Sequence, residues 1–453
     1  MGAPEYIDVA IIGAGGAGLL AGLAAARAGA KTVLFERMKS PARKVAISGG
    51  GRCNFTNTLD PRRFVKLFGD AHAKYLGRPL AAFSKDQLIE MLGRYGITGE
   101  VERGYRLYTK SGRGMDVVEA LVTEFQAAGG VLKTTARVTR LQADSSGFSL
   151  DVMVGGQARA EAATPREARG KPGPAQALGA VPESYAAKAA IICTGGLSYP
   201  ATGSTGDGYE WAKNLGHAVT PLKAALVGLS IEEEWPRKIS GTAVDDAQVS
   251  LFQLNENSAA AESKPLATER AELLFTHFGV SGPSILDLSN AFVGQGLSRG
   301  LLRIDFFPDT TREALDQRML EIFRQQPQRT ILKALDGWLP SRLLESMVSK
   351  LGNESVMPVS QLPKTIRMTL LDAFKNTRLT IIGTRGIEYG EVTAGGIAWE
   401  DLDPHTLESK KTPGLYFAGE ILDLAGRCGG FNLQAAFSTG YLAGQNAAAK
   451  VKA

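Results

Sequence analysis

Cysteine and histidine are both scarce in this chain. Its three cysteines, Cys53, Cys193 and Cys428, are scattered and form no CxxC pair, which excludes a disulfide framework. The four histidines, His72, His217, His277 and His405, stand alone rather than at metal-ligand spacing, so neither a structural nor a catalytic metal is expected. Met1 to Tyr6 lack a basic segment leading into an apolar core and cleavage site, and a cytoplasmic location is the expectation. The charge-free run Val9 to Ala26 holds four glycines in its first ten residues and is bracketed by Asp8 and Arg27. It makes a poor membrane helix, and no membrane partner is expected. A second complete GxGxxG after a strand is also missing. Gly203-Ser204-Thr205-Gly206-Asp207-Gly208 has no strand before it and reads as a loop, so a dedicated nicotinamide domain is not expected.

What is present begins at Asp8-Val9-Ala10-Ile11-Ile12, which runs into Gly13-Ala14-Gly15-Gly16-Ala17-Gly18 and then an Ala/Leu-rich helical pattern. Each glycine of this dinucleotide fingerprint has a separate task. Gly13 permits the strand-to-helix turn, Gly15 lets the backbone approach a pyrophosphate, and Gly18 lets the helix pack on the strand. The phosphates then meet free N–H groups and the helix dipole. A second strand, Lys31 to Phe35, ends at Glu36, placed to hydrogen-bond ribose hydroxyls.

With 453 residues, 44% of them hydrophobic and 21% charged, the chain reads as a soluble globular protein of two or three domains. Residues 1–220 carry the αβ texture, with helical patterns at Pro61 to Leu76, Lys85 to Tyr95 and Gly114 to Ala128. Strand patterns run at Tyr105 to Tyr108, Leu132 to Leu141, Phe148 to Val154 and Ala189 to Cys193. Gly155 to Ser184 is rich in Ala, Gly and Pro and is expected to be a mobile hairpin tip. Residues 221–376 look like an insertion, with β patterns over about 221–308 (Leu226 to Ile231, Ala247 to Leu254, Leu301 to Phe307) and helical patterns over 309–376. The αβ texture returns over 377–453. A nucleotide domain split by an inserted domain is therefore expected, with both halves needed for one site.

The first fingerprint suits NAD and FAD alike, so the discriminator lies near the C-terminus. Leu415-Tyr416-Phe417-Ala418-Gly419-Glu420 is a short apolar strand, two small residues and an acid. This suits a backbone crossing a ribityl chain, with the carboxylate on a ribityl hydroxyl. Gly429-Gly430-Phe431-Asn432 then opens the last helix, whose dipole suits the edge of a flavin where negative charge accumulates on reduction. Ser48-Gly49-Gly50-Gly51 offers unhindered N–H groups for the polar edge of the ring or its phosphates, with Lys44 and Arg52 beside it.

These blocks, together with Lys44-Val45-Ala46-Ile47-Ser48-Gly49-Gly50-Gly51-Arg52-Cys53-Asn54, Cys193-Thr194-Gly195-Gly196-Leu197-Ser198-Tyr199-Pro200 and Leu274-Phe275-Thr276-His277, resemble the BaiN/RdsA group of FAD-dependent oxidoreductases over nearly the whole chain. The resemblance implies an α/β fold: a glutathione-reductase-type, Rossmann-like FAD-binding domain interrupted by an insert with a β-barrel-like part and a helical part. It implies FAD, with NAD(P)H as a transient electron donor. Arg37, Cys53, Asn54, Val138, Thr194, Gly195 and Gly196 join the cofactor-binding set. Glu420 stands where wider flavoproteins often have Asp.

The activity so implied is reduction of a conjugated C=C bond, either in uridine of large-subunit (23S) ribosomal RNA, giving dihydrouridine, or in a steroid- or bile-acid-like enone. An amine oxidase and a non-catalytic FAD-containing module that binds RNA or protein are the alternatives. Hydride passing from flavin N5 to the β-carbon of an α,β-unsaturated carbonyl leaves the other carbon needing a proton. Cys53 is either that donor or a small cysteine that packs, and His277 is a second donor or an ordinary structural histidine.

Between Arg37 and Lys85, eleven Lys and Arg face two acids, Asp60 and Asp70, in a chain whose net charge is only +5. The stretch either neutralises the cofactor's pyrophosphate beside a solvated face, or offers a basic surface to RNA.

Overall fold

Val9, Ala10 and Ile11 are apolar and fully enclosed, as a strand covered on both faces requires. In the computed structural model, which describes residues 3–155, 179–254 and 264–453, they lie in the strand Glu5–Ile12. Its parallel neighbours are Thr32–Phe35 on one side and Val181–Ile192 on the other, and Val131–Lys133 continues the sheet beyond Thr32–Phe35. The long strand Val181–Ile192 pairs antiparallel with Gly147–Val154 through its first half and parallel with Leu415–Phe417 through its last three residues. Ala136–Asp144 completes this seven-stranded sheet. Leu415–Phe417 thereby brings Gly419 and Glu420 to the same sheet edge as the Gly13 turn.

The chain divides into two compact units, Met1–Lys223 with Val392–Ala453, and Ala224–Glu391. In the first, the helices Gly16–Arg27 and Phe431–Lys452 pack together against the sheet, and a three-stranded sheet of Asn54–Asn57, Arg106–Thr109 and Gly99–Glu102 lies apart from the main one. In the second, six strands close a barrel in the order Leu229–Ile231, Gly279–Ser281, Ala267–Thr276, Ala243–Gln253, Gly300–Asp305 and Thr377–Thr384. Helices Arg312–Gln325, Ser341–Val348 and Lys364–Lys375 bury Leu315, Met319, Leu344 and Phe374 in one core with barrel residues such as Val249, Leu251 and Phe275.

Several expected elements differ from those observed. The second unit ends at Glu391 rather than 376, because Thr377–Thr384 pairs with Gly300–Asp305 and Leu229–Ile231 and so belongs to the barrel, not to the returning αβ segment. Leu132 to Leu141 is two strands parted at Thr135, whose φ of +49° turns the chain. The pattern from Pro61 to Leu76 is two helices, Pro61–Lys66 and Asp70–Ala82, broken at Gly69. Of the expected hairpin tip at Gly155 to Ser184, residues 156–178 lie outside the described residues; the strands on either side pair antiparallel. Val9 to Ala26 is a strand, a turn and a helix, and among the described residues no helix is long and apolar enough to cross a membrane.

Candidate flavin site

The turn after Glu5–Ile12 is built as its glycines demand. Gly13 has φ +98°, and a Cβ there would lie 2.6 Å from the Cys193 carbonyl oxygen. A Cβ on Gly18 would lie 1.9 Å from the Gly13 oxygen, so the helix sits on the strand only because Gly18 has no side chain. Gly15 caps the helix and faces open space. Glu36 accepts hydrogen bonds from the main-chain N–H groups of Ala14 (2.9 Å) and Met38 (2.7 Å). Burial nonetheless raises its carboxyl above the ordinary value, since the desolvation outweighs those two donors. Each carboxylate oxygen keeps a lone pair for another donor.

A cleft open to solvent is lined by Gly13, Gly15, Gly16, Ala17, Glu36, Arg37, Lys44, Val138, Thr194, Gly195 and Glu420 from the expected set. Four cations, Arg37, Arg43, Lys44 and Arg137, face it. Arg37 donates to the Thr205 hydroxyl at 2.6 Å and stands 3.7 Å from Asp207, and burial lowers its guanidinium from the ordinary value, with neighbouring Arg137 adding to the effect. Two buried polar atoms of this lining, Arg37 Nε and Thr194 Oγ1, have no hydrogen-bond partner among the described residues. A cleft with a glycine floor, cations around it and orphaned polar atoms in its wall suits a dinucleotide carrying hydroxyls and a pyrophosphate.

At the other end of the lining, Glu420 is held from three sides. Lys44 Nζ donates to one carboxylate oxygen at 2.6 Å, while the Ser198 hydroxyl (2.6 Å) and the Thr393 N–H (2.9 Å) donate to the other. Lys44 also donates to Ser198 Oγ at 2.6 Å, and the Thr393 hydroxyl accepts from the N–H groups of Leu197 and Ser198. Gly196 is tight because a Cβ there would meet Thr393 Oγ1 and Glu420 Oε1. Gly419 packs on Ala17 and donates its N–H to the Thr439 hydroxyl at 3.0 Å. The fingerprint and the Ala418-Gly419-Glu420 segment thus meet in one place.

The second glycine block lies next to the terminal helix. Gly49, Gly50 and Gly51 all have positive φ, and Gly50 and Gly51 face open space. Asn57 donates to the Gly429 carbonyl at 2.9 Å and Thr56 to Gln434 Oε1 at 2.7 Å, which joins Asn54–Asn57 to the start of the last helix at Gly430. Asn54 Oδ1 is buried and without a partner among the described residues. Arg52 stacks on Tyr108 at 4.1 Å and pairs with Glu102 at 2.5 Å, and the Ser48 hydroxyl donates to the Val45 carbonyl. Phe431 is buried against Phe64, and Asn432 braces the Gly426 and Arg427 backbone. Cys53 is fully enclosed with φ +55°, and burial pushes its thiol up to about 11 against the pull of a hydrogen bond with Ser48. Cys193 is enclosed and pushed up as well. His277 belongs to the second unit, on the turn after Ala267–Thr276, edge-on to Phe278.

Residues that sequence reasoning passed over also line or support this cleft. Arg43, Arg137 and the Gly203–Thr205 loop line it, although no strand precedes that loop to mark it as a nucleotide turn. Ser198 and Thr393 hold Glu420; Ser198 stood inside a block that was recognised, whereas nothing local marks Thr393. Among the described residues there is no group of three His, Cys, Asp or Glu placed to hold a metal.

The model of the HI0933-like protein Rossmann domain family matches residues 7–164 and 175–446. A 3-dehydro-bile acid delta(4,6)-reductase of Clostridium scindens is 29% identical over 97% of this chain and 98% of its own. A ribosomal RNA dihydrouridine synthase of Escherichia coli K12 is also 29% identical, covering 98% of each chain. Among solved structures, a mutant of the E. coli quinol fumarate reductase FrdA aligns with 99% of this chain and 71% of its own at 16% identity and a TM-score of 0.51, a likeness of fold. The resemblance and the fold class expected from the motifs are thereby borne out.

Proposed function

This chain belongs to the HI0933-like family and is an FAD-dependent oxidoreductase, and from that premise we propose that it is an NAD(P)H-driven reductase of a conjugated C=C bond. Uridine in large-subunit ribosomal RNA is the first substrate and a small-molecule enone the second. What carries the reading is the meeting of the Gly13–Gly18 turn with Glu420 in one cleft and of Gly419 with Ala17, an arrangement in which one long ligand would touch both segments. The two relatives add the substrate class, because a delta(4,6)-reductase and a dihydrouridine synthase both name the saturation of a double bond conjugated to a carbonyl.

Held in this cleft, FAD would supply the hydride chemistry between NAD(P)H and the β-carbon of the substrate. The protein's own residues do the rest. Glu36 would accept from the ribose hydroxyls, the free N–H groups at the start of Gly16–Arg27 would hold the pyrophosphate, and Arg37, Arg43 and Arg137 would balance its charge. Lys44, Ser198 and Thr393 hold the Glu420 carboxylate in place, where it would accept from a ribityl hydroxyl. Cys53 and His277 are the proposed proton donors. The Cys53 thiol keeps its proton at neutral pH.

For RNA, the supporting observation is the exposed set Arg62, Arg63, Lys66, Lys74 and Arg78 on Pro61–Lys66 and Asp70–Ala82. Four other cations of that basic stretch are paired with groups of the same chain: Arg37 with Thr205, Lys44 with Glu420, Arg52 with Glu102, and Lys85 with the Thr58 and Leu59 carbonyls. Turnover with NADPH, offered a uridine-containing ribosomal RNA fragment and a conjugated steroid enone, tests the assignment. Dihydrouridine in the RNA is the expected product. Saturation of the enone alone moves the substrate to small molecules, and turnover of neither contradicts a reductase.

A further inference from the structure

The second unit carries a cluster of side chains to which the reading above gives no task beyond the proposal for His277. Three chain segments end at one mouth of its barrel. Gly228 precedes Leu229–Ile231, His277 and Phe278 turn between Ala267–Thr276 and Gly279–Ser281, and Arg385 follows Thr377–Thr384. Leu229 lies in register with both Val280 and Thr384, which fixes these ends beside one another. Gly228 makes the seat: a Cβ there would fall 2.6 Å from the Phe278 ring. The Arg385 guanidinium lies over that ring at 4.5 Å and over the Tyr389 ring at 3.7 Å. The Arg385 main-chain N–H donates to the Gly228 carbonyl (3.1 Å) and that of Tyr389 to the Gly386 carbonyl (2.9 Å), so the layers are set by backbone.

The guanidinium therefore lies against two rings. Among the described residues the side chain of Arg385 has neither an ion pair nor a hydrogen bond to a protein acceptor. A guanidinium held against two rings, with its N–H groups unspent on protein acceptors, is suited to a planar oxygen acceptor. Tyr389, 48% exposed, extends the platform, and His277 stands 5.1 Å from Phe278. Mouths of β-barrels are among the common seats for small ligands.

We propose that Phe278, Arg385 and Tyr389, with His277 beside them, form a binding site for a flat conjugated carbonyl compound, in which the Arg385 edge donates to the carbonyl oxygen and the Tyr389 ring bears on the flat of the ligand. That the ligand is the substrate rests on the reductase reading; that the site binds such a compound does not. A cyclic enone and a uracil ring share this chemistry, and the two probes of the test separate them.

The test uses the FAD-loaded protein and its Arg385→Lys and Arg385→Ala variants, with a conjugated steroid enone and a uridine-containing RNA fragment as probes. Binding is read by equilibrium dialysis and turnover by NADPH consumption, with FAD retention as the check on folding. Loss of a charge-assisted hydrogen bond is expected to raise Kd and KM for one probe about 10- to 100-fold, with kcat falling less. Lysine keeps the charge but not the fork, so it restores little. Constants within twofold of wild type in Arg385→Lys, for both probes, overturn the site while leaving the reductase reading intact. If wild type turns over neither probe but binds one in an Arg385-dependent way, the site stands and the reductase reading falls. Binding of neither probe by wild type overturns both.

Discussion

At the scale of single residues, burial decides what Cys53 does. Its thiol is enclosed, and lack of solvation raises its ionisation from 9.0 to about 11 in the folded protein. The sign follows from linkage. The folded state keeps the proton that the unfolded state gives up, so the contribution is whole below pH 9 and is lost as pH rises through about 11. The stability of wild type minus that of Cys53→Ala is expected to shrink by about 1 kcal/mol between pH 8 and pH 10, read from denaturant unfolding. A difference that stays flat over that span contradicts the burial. Legibility at this scale depended on locality. Gly13, Gly18 and Glu36 were readable because strand, turn, helix and acid follow one another closely. The hold of Ser198 and Thr393 on Glu420 was not, because those partners lie 222 and 27 residues away along the chain and carry no spacing signature.

At the scale of elements, the helices Gly16–Arg27 and Phe431–Lys452 approach each other closely in the first unit. Gly440 and Gly444, one turn apart, make it possible, since a Cβ on either would lie 2.1 Å from the main-chain oxygen of Ala17 or Ala21. Backbone cannot swing aside as a side chain can. Gly440→Ala and Gly444→Ala are each expected to lower stability by about 1–3 kcal/mol, seen as a lower denaturant midpoint with an unchanged slope. Because the first helix follows the Gly13–Gly18 turn proposed to hold the pyrophosphate, weaker FAD retention should accompany the loss; an unchanged midpoint contradicts the close packing. The helix and strand types were largely readable from period. The breaks were not: apolar alternation from Leu132 to Leu141 continues through the turn at Thr135, and the helical pattern from Pro61 to Leu76 continues across Gly69.

At the scale of the whole molecule, an insertion parts the two halves of the nucleotide-binding unit. Its entry was legible within a few residues, at 223 against the expected 220, because the texture changes from αβ to alternating β there. Its exit was not. Leu379 to Ile382 is as apolar as a parallel αβ strand, and only pairing with Gly300–Asp305 and Leu229–Ile231 assigns it to the barrel. The two halves are proposed to close on one FAD, with the trio Lys44, Ser198 and Thr393 holding the carboxylate that grips it. Titration of the apoprotein with FAD tests this most directly. Wild type should bind a single FAD per chain, and Glu420→Ala should bind it about 10- to 100-fold more weakly, as loss of a charged hydrogen-bond acceptor requires. A wild-type protein that takes up no FAD, or a Glu420→Ala variant with undiminished affinity, would contradict the account.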